Sequence, residues 1–117
     1  MARILIVDDE PQFRRVLRIA LVARGHQVRE AASGKDALEL LRTDVPQLVL
    51  VDWNMQGLDG LQTCRAIRTW LSIPIIMVTS RSQNGRDQAL TAGADDYVTK
   101  PFEIDYLLTR VESALSR

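Results

Sequence analysis

Reactive side chains follow several short apolar runs in this sequence. They are carboxylates, hydroxyls and an amine, namely Asp8-Asp9-Glu10, Asp52, Thr79-Ser80 and Lys100. Carboxylates that are held close together raise one another's pKa unless a counter-charge is near. Their oxygens suit Mg²⁺, which is commonly bound by a small number of carboxylates together with a phosphate. These residue types therefore predict a Mg²⁺ site in which Lys100 supplies a fixed cation and Thr79 a hydroxyl donor.

Phosphoryl transfer onto a carboxylate is the reaction that this set favours. An Asp can act as a nucleophile and form an acyl phosphate, while a metal ion and a lysine neutralise the charge on the transferring group. Asp52 is the best candidate nucleophile, because it ends a central apolar run and the following loop at 54–60 contains glycine, which leaves room for a donor. Asp8 and Asp9 are better placed to hold the metal ion.

The elements that must bring these side chains together are parallel strands. Unbroken apolar runs are typical of strands that are buried on both faces of such a sheet. Strong runs lie at 4–7, 48–51 and 75–78, and weaker strand signals lie at 27–31 and 95–98. Because the carboxyl ends of parallel strands share the edge where open α/β sheets bind ligands, we expect Asp8, Asp9 and Asp52 to converge there.

Helical periodicity separates the strands. The first helix is predicted to begin near Pro11, to stop at Gly25 and to bury one apolar face, formed by Phe13, Val16, Leu17, Ala20 and Leu21. Ser33 is the predicted cap of the second helix. The other three are predicted at 59–71, at 84–92, which has the weakest signal and is expected to be loosely held, and at 104–115. Five strands alternating with five helices predict a three-layer α/β domain with right-handed crossovers.

Composition limits the class of protein. The 117 residues carry 15 basic and 15 acidic side chains and one Cys, and 46% of them are apolar. This length predicts one domain, residues 1–117, with a core of its own. Zero net charge without a Lys/Arg run predicts no direct nucleic-acid binding. We expect a cytoplasmic protein, because no run spans a membrane, the start lacks a signal-peptide pattern and one Cys forms no internal disulfide.

Four motifs at these strand ends resemble the receiver domains of two-component response regulators. They are Ile-Val-Asp-Asp-Glu at 6–10, Val-Asp-Trp-Asn-Met-Gln-Gly-Leu-Asp-Gly at 51–60, Pro-Ile-Ile-Met-Val-Thr-Ser at 74–80 and Gly-Ala-Asp-Asp-Tyr-Val-Thr-Lys-Pro-Phe at 93–102. The resemblance covers nearly the whole chain. It implies a doubly wound (βα)5 flavodoxin-like fold with a parallel sheet in the order 2-1-3-4-5. It also implies a phosphorylation-activated signalling switch of a two-component or phosphorelay system.

The resemblance implies roles for the acidic residues. Asp52 matches the phosphoacceptor for a sensor histidine kinase or a histidine phosphotransfer protein. Asp9 and the Asp52 side chain match direct Mg²⁺ ligands, and the backbone carbonyl of Asn54 matches a third. Asp8 is expected to act on the metal ion through water.

Further roles come from the same resemblance. Thr79 matches the switch hydroxyl that moves toward the phosphate, and Tyr97 matches the aromatic residue that turns inward as Thr79 moves. Lys100 would pair with a phosphoryl oxygen, and the Lys100-Pro101 peptide bond is expected to be cis. Phosphorylation would then change the surface of the fourth helix, fifth strand and fifth helix, and through it control an effector.

Two positions depart from the family's pattern. Gln56 stands where Pro is usual, so we expect a less rigid loop after Asp52, whereas Ser80 replaces the commoner Ala and is still small. Asn54 and Arg81 lie two residues after the phosphoacceptor and the switch hydroxyl, at the predicted mouth of the site. We predict that these two residues tune the lifetime of the phosphate.

A Mg²⁺-dependent phosphatase with an Asp nucleophile is the alternative function, since it uses the same carboxylate chemistry. Such enzymes usually carry a second Asp two residues after the nucleophile, where this chain has Asn54. We therefore expect self-phosphorylation and slow self-dephosphorylation instead of turnover of external substrates.

The sequence leaves the output of the switch open. Asp96 and Arg110 match one charge pair of receivers that form homodimers through the fourth helix, fifth strand and fifth helix, and Arg86 would add a cation there. Tyr106 and Glu112 depart from that dimer pattern. A stand-alone receiver and the receiver part of a larger regulator or hybrid kinase both remain open, with an effector domain or protein as the downstream partner.

Overall fold

Five parallel strands and five helices build the protein, and its structure, a computed structural model, describes residues 1–116. The strands are β1 (Arg3–Val7), β2 (Gln27–Ala31), β3 (Leu48–Val51), β4 (Ile75–Thr79) and β5 (Asp96–Thr99). The helices are α1 (Pro11–Ala23), α2 (Gly34–Thr43), α3 (Gly60–Arg68), α4 (Arg86–Thr91) and α5 (Ile104–Leu115). The strand order is β2-β1-β3-β4-β5. The predicted fold is therefore confirmed.

Alternation along the strands divides the core between the two faces of the sheet. Leu5 and Val7 belong to the apolar cluster that packs against α2, α3 and α4. Ile4 and Ile6 belong to the cluster that packs against α1 and α5. Because helices cover both faces of β1, β3 and β4, these three strands need no polar face, which explains their unbroken apolar runs.

The register of β1 and β3 sets the position of the candidate site. Val7 pairs with Val51, so the residues that follow them, Asp8 and Asp52, leave adjacent strands side by side. The connection after β1 runs to β2 on one side, while β3 lies on the other. The topological switch point of the sheet, where such folds bind ligands, therefore falls between β1 and β3.

Two helix boundaries differ in detail from their predictions. The helix predicted at 59–71 ends at Arg68, whose guanidinium donates to the carbonyls of Leu71 and Ile73 in the segment that leads to β4. The weak helix predicted at 84–92 is a 3₁₀ turn over Gln83–Gly85 followed by the six-residue α4, in which Ala89 is the buried side chain. The Ser33 cap is confirmed, since its hydroxyl accepts from the Asp36 amide at 3.1 Å.

The predicted apolar face of α1 is wrong at one position. Val16 is 54% exposed, whereas Leu17 and Leu21 are fully buried. The face that meets the sheet is centred on these two leucines, and Val16 lies at its edge. Within residues 1–116, no helix has the length and apolar character needed to cross a membrane.

Candidate functional site

Three carboxylates meet at the carboxyl ends of β1 and β3. The Asp8 amide donates to the carbonyl of Ala31 in the neighbouring strand, and the Asp52 amide donates to that of Val7, so both acids are held by sheet bonds. Asp8 and Asp52 are buried, with 2% and 6% exposure, while Asp9 is exposed. One oxygen from each carboxylate lies within 4.8 Å of the others. The predicted convergence of these acids is confirmed.

Local hydrogen bonds orient the two buried carboxylates. Asp8 Oδ1 accepts from the amide of Glu10 at 2.9 Å, and Asp52 Oδ1 accepts from the amide of Asn54 at 3.5 Å. The Arg14 side chain donates to the Asp8 carbonyl at 2.7 Å and so ties α1 to the end of β1. In both carboxylates the second oxygen, Oδ2, is turned toward Lys100.

Lys100 supplies the counter-charge of this acidic cluster. Its Nζ lies 3.2 Å from Asp8 Oδ2, 3.6 Å from Asp52 Oδ2 and 3.8 Å from Glu10 Oε1, and its side chain is 15% exposed. The Lys100-Pro101 peptide bond is cis, as the resemblance implied. The Lys100 amide donates to the carbonyl of Thr79, which keeps the start of this loop against β4.

The surroundings of Asp52 raise the pKa of its carboxyl group above the ordinary value. Burial is the largest cause, because it disfavours the charged form, and the neighbouring Asp8 adds to it. Lys100 acts in the opposite direction, as do hydrogen bonds from the Asn54 backbone and the Thr79 side chain. In the folded protein, ionisation of Asp52 therefore costs free energy, and an added cation would lower that cost.

A divalent cation fits this set of donors. Hard carboxylate oxygens are what Mg²⁺ prefers, and Asp8, Asp9 and Asp52 offer one oxygen each within reach of a single ion. Asn54, whose backbone carbonyl is a predicted ligand, follows in the same loop. Lys100 alone leaves the cluster with an excess of negative charge, which a divalent ion would balance.

Thr79 and Tyr97 both turn their side chains inward, Thr79 next to Asp52 and Tyr97 next to Trp53. Thr79 is fully buried, and its Oγ1 accepts from the Arg81 amide at 3.3 Å. Tyr97 is 1% exposed, and its hydroxyl donates to the carbonyl of Ser82 at 2.9 Å. The ring of Tyr97 also meets the ring of Trp53 edge to face, with the centroids 6.4 Å apart. In this structure the predicted aromatic switch therefore occupies its inward position.

The start of α4 packs closely on this aromatic pair. A Cβ at Gly85 would lie 2.7 Å from Trp53 Cζ3 and 2.7 Å from the Tyr97 hydroxyl. Only a residue without a side chain leaves room for both groups. A movement of Tyr97 would therefore displace the turn that begins α4.

The predicted lifetime-tuning residues contact each other at the mouth of the site. Arg81 Nε donates to Asn54 Oδ1 at 3.2 Å, and the guanidinium lies 4.3 Å from the centroid of the Trp53 ring. They border an open depression of about 390 Å³ beside the carboxylates. Its lining residues are Asp9, Trp53, Asn54, Met55, Gln56, Asp59 and Arg81.

The charge pair predicted for a dimer interface, Asp96 and Arg110, forms within one chain. Arg110 Nε donates to Asp96 Oδ2, and Arg86 Nη1 lies 3.8 Å from Asp96 Oδ1. Asp96 Oδ1 also accepts from the amide of Tyr97. Tyr106, at one of the two departures from the dimer pattern, is 52% exposed on α5.

Sequence reasoning missed two aromatic contacts in the site. Phe13 was assigned only to the packing face of α1, yet its ring lies 3.7 Å from Lys100 Nζ. The edge-to-face contact of Trp53 with Tyr97 was not predicted either. No local pattern signals either contact, because each joins positions that are far apart in the chain.

Comparison with protein families gives one match that covers most of the chain. Residues 4–112 match the model of the response regulator receiver domain.

Among curated proteins, the chain is 42% identical over 118 residues to the transcriptional regulatory protein KdpE of Mycobacterium tuberculosis (strain ATCC 25618 / H37Rv), covering 100% of this chain and 52% of that protein. It is 44% identical over 117 residues to the response regulator MprA of Mycolicibacterium vanbaalenii, covering 98% of this chain and 51% of that protein. The chain thus spans about half the length of the curated relatives that it matches.

Solved structures share the fold over nearly the full length. A receiver domain of the Francisella response regulator 1452 superposes with a TM-score of 0.94 at 30% identity, covering 100% of this chain and 98% of that one. The receiver domain of a signal transduction histidine kinase from Syntrophus aciditrophicus gives 0.92 at 32% identity, covering 99% and 91%.

Proposed function

Because this chain belongs to the response regulator receiver domain family, we propose that it is a phosphorylation-controlled signalling switch with Asp52 as its phosphoacceptor. One observation carries the proposal: Asp52 is a buried carboxylate at the end of the central strand, beside two further carboxylates and 3.6 Å from Lys100. That set can receive a phosphoryl group and neutralise its charge. The donor would be a sensor histidine kinase or a histidine phosphotransfer protein.

The transfer is a displacement at phosphorus. An oxygen of the ionised Asp52 carboxylate forms the new bond to phosphorus, and the bond from phosphorus to the donor's nitrogen or oxygen breaks, its electron pair leaving with the donor. Asp9, the Asp52 side chain and the Asn54 backbone carbonyl would hold Mg²⁺, with Asp8 acting through water. The bound ion would supply positive charge for the phosphoryl oxygens.

Lys100 and Thr79 bind the product of the transfer. Lys100 Nζ already lies within reach of Asp52 and can form a charge-assisted hydrogen bond to a phosphoryl oxygen. The buried hydroxyl of Thr79, which contributes a hydrogen bond to Asp52, would donate to another. Both residues would thereby stabilise the phosphorylated state.

The switch follows from the contacts of Tyr97. Its inward position is stabilised by the hydrogen bond to the Ser82 carbonyl and by the edge-to-face contact with Trp53. A phosphoryl group that fixes Thr79 also fixes the β4–α4 loop, whose carbonyl Tyr97 binds. Phosphorylation would therefore raise the population of the inward arrangement and of one conformation of the α4–β5–α5 surface.

We propose that this surface controls an effector, either another domain of a larger regulator or a separate protein. The support is that KdpE and MprA, each about twice as long as this chain, are a transcriptional regulatory protein and a response regulator. A cytoplasmic location accords with regulation of transcription. A homodimer through α4–β5–α5 would require Arg110 to exchange Asp96 of its own chain for that of a second copy.

Asn54 and Arg81 are proposed to set the lifetime of the phosphate. Their mutual hydrogen bond lies in the lining of the depression beside the carboxylates, through which an attacking water would have to enter. Substituting both residues should change the decay rate of phosphorylated Asp52, and an unchanged rate would contradict this role.

The test of the function is labelling with a small acyl phosphate and Mg²⁺. The wild-type protein should take up one phosphoryl group, and Asp52→Asn should take up none. Labelling that persists in Asp52→Asn would refute the assignment of the phosphoacceptor. Steady hydrolysis of a phosphate ester over many turnovers would favour the phosphatase alternative instead.

A further inference from the structure

We propose that Phe13 is a positioning residue for Lys100, holding its ammonium group in the site by a cation–π contact. The inference rests on the proposed function, because it concerns the lysine that is to bind the phosphoryl group. Lys100 Nζ lies 3.7 Å from the centroid of the Phe13 ring, well inside the range of such contacts. With 15% exposure the lysine side chain is largely shielded from water, which strengthens the attraction.

The carboxylates alone are an unsuitable anchor for this lysine. Lys100 binds Asp8 and Asp52, which are the same groups that offer oxygens to a divalent cation. A cation at those oxygens competes for them and repels the ammonium group. The face of a phenyl ring attracts the ammonium group but does not suit Mg²⁺, which prefers oxygen ligands. Phe13 can therefore keep Lys100 near Asp52 when the carboxylates are engaged elsewhere.

The ring itself is held by a second aromatic contact. Phe13 and Phe102 meet edge to face, with centroids 6.1 Å apart and planes at 82°. Phe13 lies in the first turn of α1, just after the acidic motif, and Phe102 lies just after the cis peptide bond that follows Lys100. Two short segments of the site thus fix the ring between them with its face toward the ammonium group.

Two variants of Phe13 separate positioning from packing. Phe13→Leu removes the ring and keeps an apolar side chain, while Phe13→Tyr keeps the ring. For the wild-type protein and both variants, the proton shifts of the Lys100 ε-methylene group should first be recorded by NMR without metal. Acetyl phosphate and Mg²⁺ are then added to a second portion of each preparation, and the labelling rate is measured. The ring face shifts those protons upfield. Val28→Ala, in the same apolar cluster but on β2, serves as the packing control.

We expect Phe13→Leu to lose the upfield shift and to be labelled about five- to thirtyfold more slowly, which is the rate change that the usual strength of a largely shielded cation–π contact implies. Phe13→Tyr should keep both properties, and Val28→Ala should lose stability in urea but keep the wild-type labelling rate. A wild-type labelling rate in Phe13→Leu, or an unshifted Lys100 signal in the wild-type protein, would overturn the inference. A wild-type protein that takes up no phosphoryl group would instead overturn the proposed function.

Discussion

Gly60 lies where the start of α3 approaches the backbone of the loop that carries Asp52. A Cβ at Gly60 would lie 2.4 Å from the carbonyl oxygen of Asp52 and 2.6 Å from Trp53 Cα, and the Gly60 amide donates to the Trp53 carbonyl at 2.8 Å. These atoms belong to the backbone and cannot rotate away. In Gly60→Ala, the start of α3 and the loop that carries Asp52 must therefore separate by about 1 Å to reach an ordinary contact distance.

The cost of that separation follows from overpacking. Extra atoms in a packed interior cost about 1–3 kcal/mol, and the better helix propensity of Ala returns less than about 1 kcal/mol at a helix start. We expect a net loss of about 1–2 kcal/mol, which lowers the urea midpoint by roughly 1 M. Because a displacement of about 1 Å at a reacting group can reduce a rate by two orders of magnitude, labelling of Asp52 should slow at least about tenfold.

Urea unfolding and acetyl phosphate labelling of the same samples measure both effects. Gly57→Ala is the matched control in the same loop, since Gly57 has a φ of +76° but no atom within 4 Å of its would-be Cβ. It should lose about 1 kcal/mol through backbone strain and keep its labelling rate within about twofold. Wild-type stability and labelling in Gly60→Ala would refute the claim that α3 and the Asp52 loop are in fixed contact.

Three further predictions concern stability and reactivity. Asp52→Asn should raise the free energy of unfolding at pH 7, because burial raises the pKa of Asp52 and the folded state bears the cost of its charge. This gain in stability should shrink as acid protonates Asp52. Urea unfolding at pH 7 and at a pH below the ordinary Asp pKa checks both signs. Arg68→Ala should lower the free energy of unfolding in urea by roughly 3 kcal/mol. The reason is that the Arg68 guanidinium donates to the carbonyls of Leu71, Ile73 and Gly93 and to Asp95 Oδ2. An unchanged urea midpoint would contradict this account. Burial raises the pKa of Cys64 to about 12, so a thiol reagent at pH 8 should react only as the protein unfolds, and rapid reaction of the folded protein would be inconsistent with its packing.

The architecture was predictable from the sequence because its signals are local. Runs of apolar residues identify strands that are covered on both faces, and a parallel sheet brings their carboxyl ends together whatever the side-chain details. Asp8 and Asp52 could therefore be placed next to each other, although 44 positions separate them. The weak helix at 84–92 was also expected, since few apolar side chains in that segment could anchor it.

Contacts that depend on the rotation of a helix or on a long side chain could not be predicted. The exposure of Val16 and the position of the Phe13 ring over Lys100 follow from how α1 lies on the sheet. Arg110 reaches Asp96 of its own chain through the packing of α5 against β5, and no spacing in the sequence distinguishes this from a pair between two chains.

Location of the phosphoryl group within the chain tests the central claim most directly. An acyl phosphate on Asp is reduced by borohydride to the alcohol, homoserine, which marks the modified position in a peptide map. After incubation with acetyl phosphate and Mg²⁺, the mark should lie at Asp52 alone, and omission of Mg²⁺ should remove it. A mark at Asp8 or Asp9, or equal labelling without a divalent cation, would contradict the account.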